Sequence, residues 1–113
     1  MSNDVLARLA ATIRQRRSED PGRSYTRQLL DAGPEKCARK LGEEAIETVI
    51  AGISQDDRAL AGEAADLLYH LLVLLEARGV SWDAVLAVLD GRTGTSGLAE
   101  KASRTARGGG SVS

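Results

Sequence analysis

The stretch "KCARKLGEEAIETVIAG", Lys36 to Gly52, decides the fold of this chain. Leu41, Ala45, Ile46, Val49, Ile50 and Ile53 recur at helical spacing and form a pattern suited to burial. Glu43, Glu44 and Glu47 stand among them. At 100° per residue, Glu43 and Glu47 lie about 40° apart on the helix and Glu44 and Glu47 about 60°. A second helical stretch, "GEAADLLYHLL" (62–72), carries Glu63 and Asp66 one turn apart on one face. Fifteen residues separate Glu47 from Glu63, and the polar break "SQDD" (54–57) falls between them. A hairpin turning there brings the two acidic turns side by side.

Helix one is expected from about Asp4 to Arg16, with Val5, Leu6, Leu9 and Ile13 on its apolar face. "SEDPGRS" (18–24) is a turn-rich connector. A short helix then runs from Tyr25 to Asp31, capped by Ser24. Gly33 stops it and Pro34 starts helix three, which ends near Ile53. Helix four runs from Asp57 to Arg78 and stops at Gly79, and Ser81 caps a last helix from Trp82 to about Asp90. The fold class is all-α, with helices three and four as an antiparallel hairpin. Helix four is apolar nearly all round, through Leu67, Leu68, Leu71, Leu72, Val73, Leu74 and Leu75. Such a helix must be covered on every side, and a second chain is expected to complete the bundle.

The 113 residues suffice for one small domain, expected over 1–104, with a disordered tail at 105–113 ending in GGGSVS. Cys37 is the single cysteine and His70 the single histidine, which excludes an internal disulfide framework and a Cys/His zinc site. The N-terminal segment lacks the apolar stretch of a signal peptide, and the longest uncharged apolar run, "LLYHLLVLL", has nine residues, too few to span a bilayer. A cytoplasmic protein without membrane partners is expected. Charge is uneven: +4 over residues 1–40, −8 over 41–90 and +3 over 91–113. An acidic middle is no nucleic-acid footprint. It suits a cation site flanked by groups for an anionic small molecule.

Converging carboxylates repel one another, and protonation or a divalent cation relieves them. An all-oxygen ligand set points to Mg2+ or Mn2+ rather than zinc. A di-iron bundle needs Glu-x-x-His pairs, and His70 would need a glutamate where Leu67 stands. Lys36 and Lys40 precede the glutamates on the same sector of helix three and suit either phosphate contact or ion pairing with Glu44. His70 suits a packed core residue or a partner to a carboxylate. Trp82 and Cys37 read as packing.

Residues 24–52, "SYTRQLLDAGPEKCARKLGEEAIETVIAG", and 62–89, "GEAADLLYHLLVLLEARGVSWDAVLAVL", together resemble the phosphoribosyl-ATP pyrophosphohydrolase family of MazG-like all-α nucleotide pyrophosphatases. The pair E-E-x-x-E … E-x-x-D is shared with that superfamily. The "SYT" start, "ADLLYHLL" and the "SGLAEKASR" tail (96–104) resemble this branch in particular. The likeness covers about residues 3–104, and Cys37 departs from the aliphatic residue more usual there. The resemblance implies Mg2+-dependent hydrolysis of phosphoribosyl-ATP to phosphoribosyl-AMP and pyrophosphate, the second step of histidine biosynthesis. It implies Glu44, Glu47, Glu63 and Asp66 as metal ligands, with Glu43, Glu44 and Glu47 as the catalytic group. Which of Glu43 and Glu44 binds metal and which orients water stays open. Tyr25, Thr26, Lys36, Lys40, Lys101 and Arg104 are the candidate substrate contacts. A homodimer or larger oligomer is expected. Two alternatives remain: a house-cleaning pyrophosphatase for another NTP or dNTP, and a helical interaction module without catalysis.

Overall fold

A computed structural model describes residues 3–92, and among them all regular structure is helical. Helix α1 spans Asn3–Gln15 and tightens into one 3₁₀ turn at Arg16–Ser18. The guanidinium of Arg17 pairs with the Glu76 carboxylate and also donates to the Glu76 carbonyl at 2.7 Å. This fastens the end of α1 to a distant helix. In the connector, the Gly22 N–H donates to Asp20 Oδ1 (3.0 Å), a local turn closed by a side chain.

Helix α2 is Tyr25–Ala32. Ser24 caps it as expected, its hydroxyl oxygen accepting from the Arg27 N–H at 3.1 Å. Gly33, at φ 98°, ends α2 in a conformation that side chains disfavour, and Pro34 opens α3, Pro34–Ser54. Asp56 accepts from the Ala59 N–H (2.9 Å) and caps α4, Asp57–Arg78. Gly79, at φ 72°, closes α4 in a Schellman arrangement, with the Val80 N–H returning to the Leu75 carbonyl (2.9 Å) and the Gly79 N–H to that of Glu76 (3.1 Å). Helix α5 is Trp82–Arg92. The chain divides into two compact units after Trp82, so most of α5 lies outside the first unit.

In the first unit Ile13, Leu29, Cys37, Leu72 and Val73 form the buried centre, with Leu6, Leu9, Leu30, Tyr69 and Trp82 packed against it. Cys37 is inert packing: its thiol donates to the Leu29 carbonyl (3.2 Å), and burial pushes its pKa up. Helix α3 buries only Cys37 and Ala51. Its expected apolar face does not enter the core formed by the described residues of the first unit. Ile46, Val49, Ile50 and Ile53 form an i, i+3, i+4, i+7 stripe that stays exposed, with Ile53 at 82%. On α4, Leu68 is exposed as well, while Leu72 and Val73 are buried. The reason is supply. Helices α1 and α2 cover one side of the α3/α4 hairpin, and no described helix of the first unit remains for the other.

Candidate metal and nucleotide site

Helices α3 and α4 are antiparallel, as the pairings of Thr48 with Glu63 and of Gly52 with Leu60 record. The Thr48 hydroxyl lies 2.8 Å from the Glu44 carbonyl and 3.2 Å from the Glu63 carbonyl. Its back-bond along α3 is ordinary for threonine in a helix. The reach across to α4 is not, and it sets the two acidic turns level. Sequence reading passed over Thr48. Its spacing of four from Glu44 was the available signal, but the second contact follows only from the hairpin register.

At that level Glu44, Glu63 and Asp66 converge, each offering one carboxylate oxygen within 4.8 Å of the others. Glu63 is half-buried as a residue, yet its Oε1 is closed off from solvent and receives no hydrogen bond. An acceptor without a donor is a cost in a folded protein. Burial raises the Glu63 pKa, Glu47 raises it further by its charge and by a side-chain hydrogen bond, and the charges of Asp66 and Glu44 add to this. Protonation of Glu63 or a cation between the carboxylates relieves both conditions. The donor set is all oxygen and partly closed, which fits a hard divalent cation.

Glu43 is placed differently. It is exposed, and the Lys40 ammonium donates to its Oε1 at 3.1 Å. This bond and the Lys40 charge, with Lys36 and Arg39 adding to them, hold its carboxyl below the ordinary range. Glu43 is therefore not among the converging three, whereas Glu47 borders them through Glu63. Lys40 pairs with Glu43 rather than Glu44, and this bond raises its own pKa.

Tyr25 and Thr26 begin α2 with opposite fates. Thr26 is buried and its hydroxyl meets the Tyr69 hydroxyl, so it ties α2 to α4 and is not offered to a ligand. Tyr25 is 49% exposed, and its hydroxyl lies 3.4 Å from His70 Nε2. His70 is buried, with Nδ1 2.8 Å from the Asp66 carbonyl. It touches the acidic turn through the backbone and not through a carboxylate. The rings of Tyr69 and His70 meet edge to face at 4.9 Å. Lys101 and Arg104 lie outside the described residues.

A family model described as Phosphoribosyl-ATP pyrophosphohydrolase matches residues 6–93. Similar curated proteins carry the name Phosphoribosyl-ATP pyrophosphatase. One from Caulobacter vibrioides is 61% identical over 101 residues, covering 89% of this chain and 94% of its own length. One from Rhodobacter capsulatus is 59% identical over 100 residues, covering 88% of this chain and 97% of the relative. One from Cereibacter sphaeroides is 58% identical with the same coverage, 88% and 97%.

Proposed function

The chain belongs to the phosphoribosyl-ATP pyrophosphohydrolase family, and from that premise we propose how its carboxylates divide the work. The reaction is hydrolysis of phosphoribosyl-ATP to phosphoribosyl-AMP and pyrophosphate, a step of histidine biosynthesis. Water adds to phosphorus at the anhydride between the α and β phosphates, one P–O bond forms and one breaks, and pyrophosphate leaves. The proton of the attacking water must pass to a carboxylate and then to solvent.

Glu44, Glu63 and Asp66 would hold Mg2+, with Glu47 as the neighbouring fourth carboxylate. Two observations carry this assignment: one carboxylate oxygen from each of the three lies within 4.8 Å of the others, and Glu63 Oε1 is closed off from solvent without a hydrogen-bond partner. When bound, the cation neutralises phosphate charge and acidifies water. Glu43 has the other role: kept ionised by Lys40 at the rim, its carboxylate accepts a hydrogen bond from water and orients it. Lys40 and the exposed Lys36 face the polyphosphate as positive charges. Mn2+ is the expected substitute metal on the same oxygen-ligand grounds.

The exposed stripe from Ile46 to Ile53 supports a homodimer in which a second copy covers the open side of the hairpin. A place in the cytoplasm is proposed with the biosynthetic reaction and not from any structural feature. No described helix is long and apolar enough to cross a membrane.

The test is a comparison of Mg2+-dependent hydrolysis of phosphoribosyl-ATP with that of a dNTP panel. Phosphoribosyl-ATP is expected to be preferred clearly. Preference for any dNTP overturns the substrate assignment, and undiminished turnover in EDTA overturns the metal assignment.

A further inference from the structure

His70 is buried, titratable and unused by the chemistry described so far. Both of its ring nitrogens have partners, and together these partners determine where its hydrogen sits. The Asp66 carbonyl can only accept, so Nδ1 (2.8 Å away) carries the hydrogen. In the neutral ring Nε2 is then an acceptor, and the group facing it at 3.4 Å is the Tyr25 hydroxyl. With that tautomer the single hydrogen of the hydroxyl points at His70. Its open side is left with lone pairs only.

We infer that His70 is a positioning residue that fixes the hydroxyl oxygen of the half-exposed Tyr25 as a hydrogen-bond acceptor, making Tyr25 a specificity residue for a sugar hydroxyl of the nucleotide and not for its phosphates. An oxygen presenting only lone pairs accepts from a hydroxyl and repels phosphate oxygens. Placement favours such a contact. Tyr25 is 49% exposed, and the His70 ring that meets its hydroxyl is bonded in turn to the backbone of the acidic turn. His70 follows the ligand-bearing turn of Asp66 by one turn and bonds to its backbone. The tie between Thr26 and Tyr69 and the near-parallel Tyr25 and Tyr69 rings (6.5 Å apart) keep α2 in place while this happens. The polyphosphate would thus be left to the lysines and to a cation held by the carboxylates, and the ribosyl group would be read by α2. This inference rests on the nucleotide hydrolase reading above.

The experiment uses the full chain with Mg2+ and compares Tyr25→Phe, His70→Asn, His70→Gln and the double variant Tyr25→Phe/His70→Asn. Asparagine can imitate Nδ1 but not Nε2; glutamine places its amide oxygen where Nε2 stood. Tyr25→Phe is expected to raise KM for phosphoribosyl-ATP about 3- to 10-fold with kcat nearly unchanged, the range of one neutral hydrogen bond. His70→Asn should match it, the double variant should be no worse than either single change, and His70→Gln should stay near wild type. As inhibitors, ribose 5-phosphate should weaken by the same factor in Tyr25→Phe, and inorganic tripolyphosphate should not weaken. Multiplying effects in the double variant, an unchanged ribose 5-phosphate Ki, or an equal loss for tripolyphosphate overturns the proposal. If His70→Asn does not fold, Tyr25→Phe with the two inhibitors still decides it. A wild-type chain without activity on phosphoribosyl-ATP refutes the hydrolase reading instead, an outcome distinct from indistinguishable variants of an active enzyme.

Discussion

Replacing Ile53 by aspartate tests whether the open side of the hairpin is an interface. At about 1.5–3 kcal/mol for complete burial of an isoleucine side chain, covering the 82% of Ile53 now exposed contributes about 1–2.5 kcal/mol per chain. Ile46, Val49 and Ile50 are exposed by 63%, 59% and 48%, so the whole stripe is worth roughly 4–8 kcal/mol per chain on the same scale. Two chains meeting about a two-fold axis contribute it twice. That sum, roughly 8–15 kcal/mol, is of the size of an association cost of about 4–15 kcal/mol. The substitution also occurs twice per dimer and adds an unpaired charge at each occurrence. The dimer Kd should rise by about two to four orders of magnitude. Sedimentation velocity over a concentration series reads this, with far-UV circular dichroism confirming that the helices persist. Ile53→Leu serves as the volume-conserving control and should remain dimeric. A wild-type protein that stays monomeric at every concentration, or an Ile53→Asp protein that sediments like wild type, refutes the reasoning.

Thr48→Val keeps the shape of the side chain and removes the hydroxyl between the Glu44 and Glu63 carbonyls. It should cost about 0.5–1.5 kcal/mol in denaturant unfolding and raise the Mg2+ concentration needed for half-maximal activity, with Thr48→Ser restoring both. Ser24→Ala removes the α2 cap and should cost about 1 kcal/mol, measured as a shift in denaturant midpoint with unchanged slope. For Glu63 the folded pKa is raised above the ordinary 4.5. Its stabilising contribution is therefore full below the unfolded pKa and lost as pH rises through the folded one. Glu63→Gln in EDTA should thus match wild-type Tm in acid and exceed it increasingly as pH rises to neutrality. Glu43, whose pKa is lowered, behaves oppositely: its contribution is present above the unfolded pKa and lost as pH falls through the folded one. Glu43→Gln should lose Tm relative to wild type at neutral pH and converge with it in acid.

Helix boundaries were legible because their determinants are local. Ser24, Gly33, Pro34, Asp56 and Gly79 each act through their own backbone or the next turn, and the helices begin and end at them. The pairing of two acidic turns was legible as well, since a short break between long helices leaves little choice of register. The division of the glutamates was not. Angular position places Glu43, Glu44 and Glu47 in a common sector, but side-chain length lets Lys40 draw Glu43 aside over one turn. Nor does periodicity distinguish burial in a chain's own core from burial against another copy. The stripe from Ile46 to Ile53 carries the same spacing in either case. His70 was legible as a packed histidine, but its bond to the Asp66 carbonyl depends on the ring's rotation, which sequence does not encode. Thr48 stayed unremarked because half of its role lies on the other helix.

Glu44, Glu63 and Asp66 are proposed as a magnesium site that hydrolysis requires. Titrating Mg2+ into EDTA-treated wild type and Glu63→Gln, with phosphoribosyl-ATP as substrate and circular dichroism as the folding control, tests it most directly. Wild type should regain full turnover as the metal is added. Glu63→Gln should remain folded and stay at least about 100-fold slower at every Mg2+ concentration that saturates wild type. A Glu63→Gln protein with the wild-type magnesium response and turnover would contradict the account.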